Sequence, residues 1–325
     1  MLLNKGSSQI NRISKLLSTT PSIIQIKCFS ALEIGNRHPK PFDYKNKNYN
    51  SLQTLLDTQT VQRLGENSLI ITVDGNFGSG KSEFAKRLAK EIDFIYASEI
   101  DLDRTFYIRK DNGANLREFV NSVVQKNELY RYNTVEEWHQ NPLFKRGAQI
   151  QRAFYKARWL QYRCALISLF STGQGIVLER SPYSDSVIAQ SLYDENLVSK
   201  EFINYYKKDL VSQTLCEIWR PHVTIYLDRT PENCLKNIAK SGKDFEKKSQ
   251  VYTTEFLKTV EKNYKKSFLP EMRQDICVLS YDNNDEQIVI DDVIDDLESF
   301  DFDQIQKFSD WSVKNPSIVD NLRLK

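Results

Sequence analysis

Gly75-Asn76-Phe77-Gly78-Ser79-Gly80-Lys81-Ser82 matches G-x-x-x-x-G-K-[ST] at every fixed position. Just before it, Ser68-Leu69-Ile70-Ile71-Thr72-Val73 is a short β-branched apolar run that reads as a buried strand. Just after it, Phe84, Leu88 and Ile92 recur every fourth residue, the period of one helix face. Strand, glycine loop and helix are the setting in which backbone N–H groups point at a phosphate. The glycines Gly75, Gly78 and Gly80 permit the turn, Asn76 and Ser79 complete it, Lys81 reaches the outer phosphates, and the Ser82 hydroxyl holds Mg²⁺ when a triphosphate is bound.

The same alternation continues downstream. Phe94-Ile95-Tyr96-Ala97 reads as a second strand ending at Ser98-Glu99, and Ile176-Val177-Leu178 as a third running into Glu179-Arg180-Ser181. His222–Leu227 and Ile276–Leu279 supply a fourth and a fifth. A long helix is expected near 146–171, with Ile150, Ala153, Ala157, Leu160, Cys164, Ile167 and Phe170 as its apolar stripe and Gly173 past its end. Thr230 and Pro231 mark another helix start. Further helices are expected over 184–217, 253–268 and 285–299, and 240–250 reads as a charged loop. Residues 100–145 carry no clear period. Five apolar strands separated by helices predict an α/β fold, a parallel sheet with helices on both faces.

Bulk properties narrow the class. The 325 residues are 40% hydrophobic with a mean hydropathy of −0.53, and no stretch approaches the ~18 apolar residues a transmembrane helix needs. The five cysteines form no CxxC pair, which argues against a zinc or disulfide framework. Residues 1–32 hold Lys5, Arg12, Lys15 and Lys27, no acid, and Leu2, Leu3, Ile10, Ile13, Leu16 and Leu17 for one apolar face, the composition of a mitochondrial transit peptide. Without those four cations the formal charge falls from +2 to −2, so the rest of the chain offers no compositional argument for nucleic acid. Residues 33–67 read as an arm over a neighbouring surface or as a linker, with Leu52, Leu55 and Leu56 near its end. Residues 68–299 form the phosphate-loop domain, and 300–325 a C-terminal tail.

Ligands of such a sheet sit at the carboxyl ends of its strands. Glu99, Glu179 and Arg180 emerge there beside the loop. A carboxylate facing a bound triphosphate can accept the proton of an attacking hydroxyl, and an arginine beside it steadies phosphate charge. The plainer reading is an ion pair at the sheet edge. Trp138, Trp159 and Trp219 read as core or interface anchors. His139 and His222 are too isolated for a metal site, and Asp291, Asp292, Asp295 and Asp296 as a solvated helix face. No residue excludes a flavin such as FAD, and no GxGxxG fingerprint supports one. A GTPase lacks its NKxD motif here.

Gly75–Ser82, Ser98-Glu99 and Glu179-Arg180-Ser181-Pro182-Tyr183-Ser184 together resemble the deoxyribonucleoside kinase family, over roughly residues 68–282. The resemblance implies a P-loop nucleoside/nucleotide kinase-like fold, Glu99 as general base, Arg180 near the reacting hydroxyl, and Gln151 on the long helix as reader of the nucleobase. One stretch departs from it. The kinases' arginine-rich lid falls on Asn237–Glu246, which has Lys240 and Lys243 and no arginine. Arginines in such positions are worth ~10³–10⁵ in rate, whereas ground-state binding survives their loss.

Ser171–Ser181, Asn263–Met272 and Lys40–Lys45 resemble a narrower family, the nucleoside-kinase-like accessory subunits of mitochondrial respiratory complex I. That resemblance runs from about residue 38 into the tail. It implies a matrix-side subunit, peripheral to the inner membrane, with other complex I subunits as partners, no role in electron transfer, and a nucleotide or deoxynucleoside at the loop. Ser82 is intact, although some members look degraded there. The alternative is a mitochondrial deoxyribonucleoside kinase, with Glu99 as base and Lys81, Ser82 and Arg180 organising ATP and Mg²⁺.

Overall fold

The computed structural model describes residues 64–65, 67–107, 113–124, 131–216, 218–284 and 288–300. The expected leader over 1–32, nearly all of the arm with Leu52, Leu55 and Leu56, and all but the start of the tail lie outside these residues.

Five strands form one all-parallel sheet in the order β2-β3-β1-β4-β5. They are β1 (Ile70–Gly75), β2 (Ile95–Ala97), β3 (Ile176–Glu179), β4 (Val223–Asp228) and β5 (Cys277–Asp282). β1 is central and wholly buried, paired Ile71↔Val177 on one side and Ile71↔Val223 on the other. A strand buried on both faces reads as a continuous apolar run, which is why it was legible. Of its two polar residues, Thr72 is satisfied by Thr224, Oγ1 to Oγ1 at 2.9 Å, and Asp74 lies buried near its carboxyl end.

The α-helices among the described residues are α1 (Lys81–Glu91), α2 (Leu116–Val124), α3 (Val135–Gln140), α4 (Phe144–Thr172), α5 (Asp185–Asp194), α6 (Lys200–Tyr205), α7 (Pro231–Ser241), α8 (Asp244–Lys247), α9 (Thr254–Asn263) and α10 (Ile290–Glu298), with single α-turns at Ser212–Leu215 and Leu269–Met272 besides. α1 and α10 cover one face, packing Phe84, Leu88, Val293 and Leu297 on Ile71, Val73 and Ile225. The other face carries the larger core, in which Ile150, Ala157, Tyr162, Ala165 and Leu169 of α4 meet Ile70, Ile176 and Leu178.

Several expectations needed correction. The buried side of α4 is only partly the stripe read from the sequence, of which Ile150 and Ala157 are buried as expected. Ile167 is 47% exposed, while Tyr155, Tyr162, Leu166 and Leu169 are buried. A helix that meets neighbours on more than one side has no single apolar stripe. Gly173 does end it, at φ +77°, with its N–H on Leu169 O. Thr230 is the N-cap of α7 and Pro231 its first residue, yet the Thr230 side chain makes no capping bond. The charged loop contains α8, and the single helix expected over 253–268 switches to a π-helical turn at Tyr264–Phe268. A second π turn, Tyr206–Val211, follows α6. Thr134 caps α3 with a full capping box, accepting from Glu137 N while Glu137 accepts from Thr134 N.

Candidate functional site

The carboxyl ends of β1, β2 and β3 open into a cleft of about 990 Å³. Its floor is the loop between β1 and α1, and its roof is built from α3, α7, α8 and Phe245.

The loop has the form of an anion cradle. Gly75, Gly78 and Gly80 have φ of +149°, +72° and +92°. A Cβ on Gly78 would meet Cys234 O at 2.5 Å, and one on Gly75 would meet Leu227 O at 2.7 Å, so only glycine fits either position. Lys81, 7% exposed, turns its ammonium back on the loop, donating to Asn76 O at 2.5 Å and Ser79 Oγ at 3.4 Å. Burial, and then the Arg180 charge, lower its pKa to about 8. Asn76 faces away, its amide donating to Leu257 O at 2.8 Å, so its part in the cradle is its backbone.

Ser82 donates its hydroxyl proton to Glu179 Oε2 at 2.5 Å, and the Tyr96 hydroxyl donates to Glu179 Oε1. The serine proton is thus directed to a carboxylate, and the lone pairs of Ser82 Oγ are left for a cation. That arrangement fits Mg²⁺ carried in by nucleotide phosphates, with the remaining ligands supplied by phosphate and water. Among the described residues no group of three or more His, Cys, Asp or Glu side chains is placed to hold a metal alone.

Glu99 lies at the cleft wall between two guanidinium groups. Arg158 Nη2 is 2.6 Å from its Oε1 and Arg180 Nε 3.6 Å from its Oε2. Burial pushes the carboxyl up, but the Arg158 and Arg180 charges outweigh it and hold the pKa at about 2. Glu99 is therefore ionised at neutral pH, with its two oxygens turned to Arg158 and Arg180. Arg180 has a left-handed backbone, φ +63°, and its guanidinium lies over the Phe77 ring at 4.2 Å. A non-glycine residue in that conformation costs of order 1 kcal/mol; here it turns the side chain across the loop.

Behind Glu99 lies a buried network absent from the sequence reading. Arg158 spans Glu99 and Asp185 through its two terminal nitrogens. Asp185, wholly buried, also accepts Gln151 Nε2 and the Tyr206 hydroxyl, both at 2.6 Å on Oδ2. Burial raises the Asp185 carboxyl against the pull of Arg158. Because Asp185 takes the Gln151 amide nitrogen, Gln151 Oε1 is the atom left for a ligand. Arg158 and Gln151 sit seven residues apart, two turns on one helix face, which is the signal that could have found the pair. Tyr206 opens one π turn and Tyr264 opens another, where its hydroxyl reaches buried Asp74 at 3.4 Å.

The roof is aromatic and cationic. Phe77 packs on Tyr252 with ring centroids 4.6 Å apart, and His139 on Tyr252 at 4.7 Å. His139 is buried, which lowers its pKa to about 4, and its Nδ1 lies 2.6 Å from Ser249 Oγ. Trp138 and Trp219 are buried and Trp159 half-buried; Trp138 also lines the cleft. Lys240 and Lys243 reach the cleft from the lid, and no arginine does so from α7 or α8.

The profile of one family, Deoxynucleoside kinase, matches residues 71–300. The chain belongs to the deoxynucleoside kinase family. Within it, the chain is 31% identical over 278 residues to the NADH dehydrogenase [ubiquinone] 1 alpha subcomplex subunit 10 of Bos taurus, covering 85% of this chain and 76% of that one. It is 33% identical over 250 residues to the same subunit of Mus musculus, covering 75% of this chain and 66% of the mouse protein. It is therefore a member of the subunit 10 group of that family. A deoxyadenosine kinase from M. mycoides, solved with dCMP and a flexible dCDP bound, superimposes with a TM-score of 0.51 at 20% identity, over 71% of this chain and 100% of the kinase. The expected P-loop kinase fold and five-stranded parallel sheet are thus borne out.

Proposed function

We propose that this protein is an accessory subunit of mitochondrial NADH:ubiquinone oxidoreductase, complex I, that takes no part in electron transfer and keeps a nucleotide pocket. The observation that carries the reading is the degree of the similarity. Over nearly the same length the chain is 31% identical to the bovine subunit, across 278 residues, but 25% identical to the deoxyguanosine kinase of Dictyostelium discoideum, across 282 residues. The site supports it from the other side. The cradle, Lys81 and the Ser82–Glu179 pair suit a bound nucleotide, while the lid offers lysines where fast phosphoryl transfer calls for planar, bidentate guanidinium groups.

On this reading residues 1–32 direct the chain to the matrix and are removed, and the arm over 33–67 and the tail over 300–325 lie on partner subunits. The protein is peripheral to the inner membrane, and among the described residues no helix is long and apolar enough to cross one. Gln151 and Arg158 face the nucleobase end of the ligand, and Glu99 and Arg180 the 5′ end. Mg²⁺, when a triphosphate is bound, neutralises phosphate charge beside Ser82.

Native electrophoresis of detergent-solubilised mitochondria carrying the tagged full chain tests this. The tag is expected to comigrate with NADH:ubiquinone oxidoreductase activity. A stable monomer that never comigrates would contradict it. The second reading, a mitochondrial deoxyribonucleoside kinase, is favoured by one observation, the intact Glu99–Arg180 pair. It requires turnover of a deoxynucleoside by the purified chain.

A further inference from the structure

Two adjacent carbonyls at the tip of the loop are held from outside by side-chain amides. Asn237 Nδ2 donates to Gly78 O at 2.8 Å, and Asn283 Nδ2 donates to Ser79 O at 2.6 Å. The two asparagines come from different elements. Asn237 is on α7, the lid helix, and Asn283 follows β5 with its own N–H on Asp228 O at 2.8 Å. The lid helix also touches the loop directly, since Cys234 O and Ile238 lie 2.5 and 2.8 Å from where a Gly78 Cβ would be.

A peptide unit is planar, with its carbonyl and the following N–H on opposite sides. Fixing Gly78 O and Ser79 O outward therefore turns the N–H groups of Ser79 and Gly80 inward. On this side Ser79 N–H closes a long turn bond on Asn76 O at 3.3 Å, the carbonyl that also accepts from Lys81, so an arriving phosphate oxygen would compete with that carbonyl for the donor. Successive inward N–H groups are what make such a concavity attractive to an anion. We infer that Asn237 and Asn283 are positioning residues that brace the cradle for phosphate. The lid helix of this chain thus acts on the ligand through the loop it braces.

The inference rests on the proposal that the cleft takes a nucleotide, and it predicts a split between two parts of that ligand. Calorimetric titration of the full chain would use MgATP as one probe and the four deoxynucleosides, which lack phosphate, as the other. Asn237→Ala and Asn283→Ala are each expected to weaken MgATP by about 5- to 20-fold. Binding of whichever deoxynucleoside the wild type takes should stay within twofold, which also shows that the variants are folded. Asn237→Asp keeps the shape but sets a carboxylate oxygen against Gly78 O, so it should weaken MgATP more than alanine does. MgATP affinity within twofold of wild type in both alanine variants overturns the brace, as does an equal loss for both probes. A wild-type chain that binds neither probe overturns the pocket itself, and the inference with it.

Discussion

Arg158→Met removes the guanidinium that bonds both Glu99 and Asp185 while keeping most of the side-chain volume. The two carboxylates respond differently. Glu99 is about a third exposed, so water can replace its partner, and its share of the loss is no more than the ~0–1 kcal/mol of a surface pair. Asp185 is wholly buried. Leaving one member of a buried pair unmatched costs about 3–5 kcal/mol. Tyr206 and Gln151 still donate to Asp185, which puts the loss at the lower end, about 3 kcal/mol. For a domain of this size that is a fall in Tm of roughly 6–12 °C. Urea denaturation followed through tryptophan fluorescence would measure it, since Trp138 and Trp219 are buried.

Two further readouts sharpen this prediction. With Arg158 gone, burial pushes the Asp185 carboxyl further up. The folded variant then holds a proton to higher pH than the unfolded chain does, so its stability should rise as pH falls from 7 toward 5. Adding Asp185→Asn removes the stranded charge, and the double variant should be more stable than the sum of the two single losses by at least ~1 kcal/mol. A loss below ~1 kcal/mol for Arg158→Met, or strict additivity in the double variant, would refute the claim that this buried ion network supports the wall of the cleft.

Other perturbations probe the cradle. Gly78→Ala places a methyl group 2.5 Å from Cys234 O at φ +72°, and is expected to lower nucleotide affinity at least tenfold in a binding titration; unchanged affinity would show that the loop relaxes freely. Glu99 has a folded pKa of about 2 against an ordinary 4.5, so its contribution to stability is present above about 4.5 and lost as pH falls toward 2. Glu99→Gln should flatten that part of the acid-unfolding curve, and an unaltered curve would contradict the pairing. Lys81 has a pKa of about 8 in the free protein, and a triphosphate beside it favours the ammonium. Binding of MgATP should therefore take up a fraction of a proton at pH 8.5 and none at pH 6, read by calorimetry in buffers of different ionisation enthalpy; no uptake at pH 8.5 would place Lys81 away from the phosphates.

What the sequence revealed follows from where the physics is local. β1, the loop, β3 and β4 were legible because each joins a short apolar run to turn chemistry a few residues away. The end of α4 was legible because Gly173 must adopt a positive φ. The buried face of α4 was not, because its partners come from β1, β3 and α5, distant in sequence. Arg158 and Asp185 were missed for the same reason, since their pairing spans 27 residues and a fold. The π turns at Tyr206 and Tyr264 shift the helical register by one residue, which a 3.6-residue period cannot register in advance. The bond from Asn237 to Gly78 O spans 159 residues, so no local pattern announces it, and the Asn237–Glu246 stretch by itself shows only its lack of arginine.

On the proposed function, this cleft holds a nucleotide without turning it over. This is tested most directly by incubating the purified full chain with MgATP and each deoxynucleoside, measuring bound nucleotide and 5′-monophosphate in the same sample. Nucleotide is expected to be bound at close to one per chain, with turnover below about 0.01 s⁻¹, a hundredfold under the slow end of the ~1–100 s⁻¹ of working kinases. Turnover near one per second would contradict it.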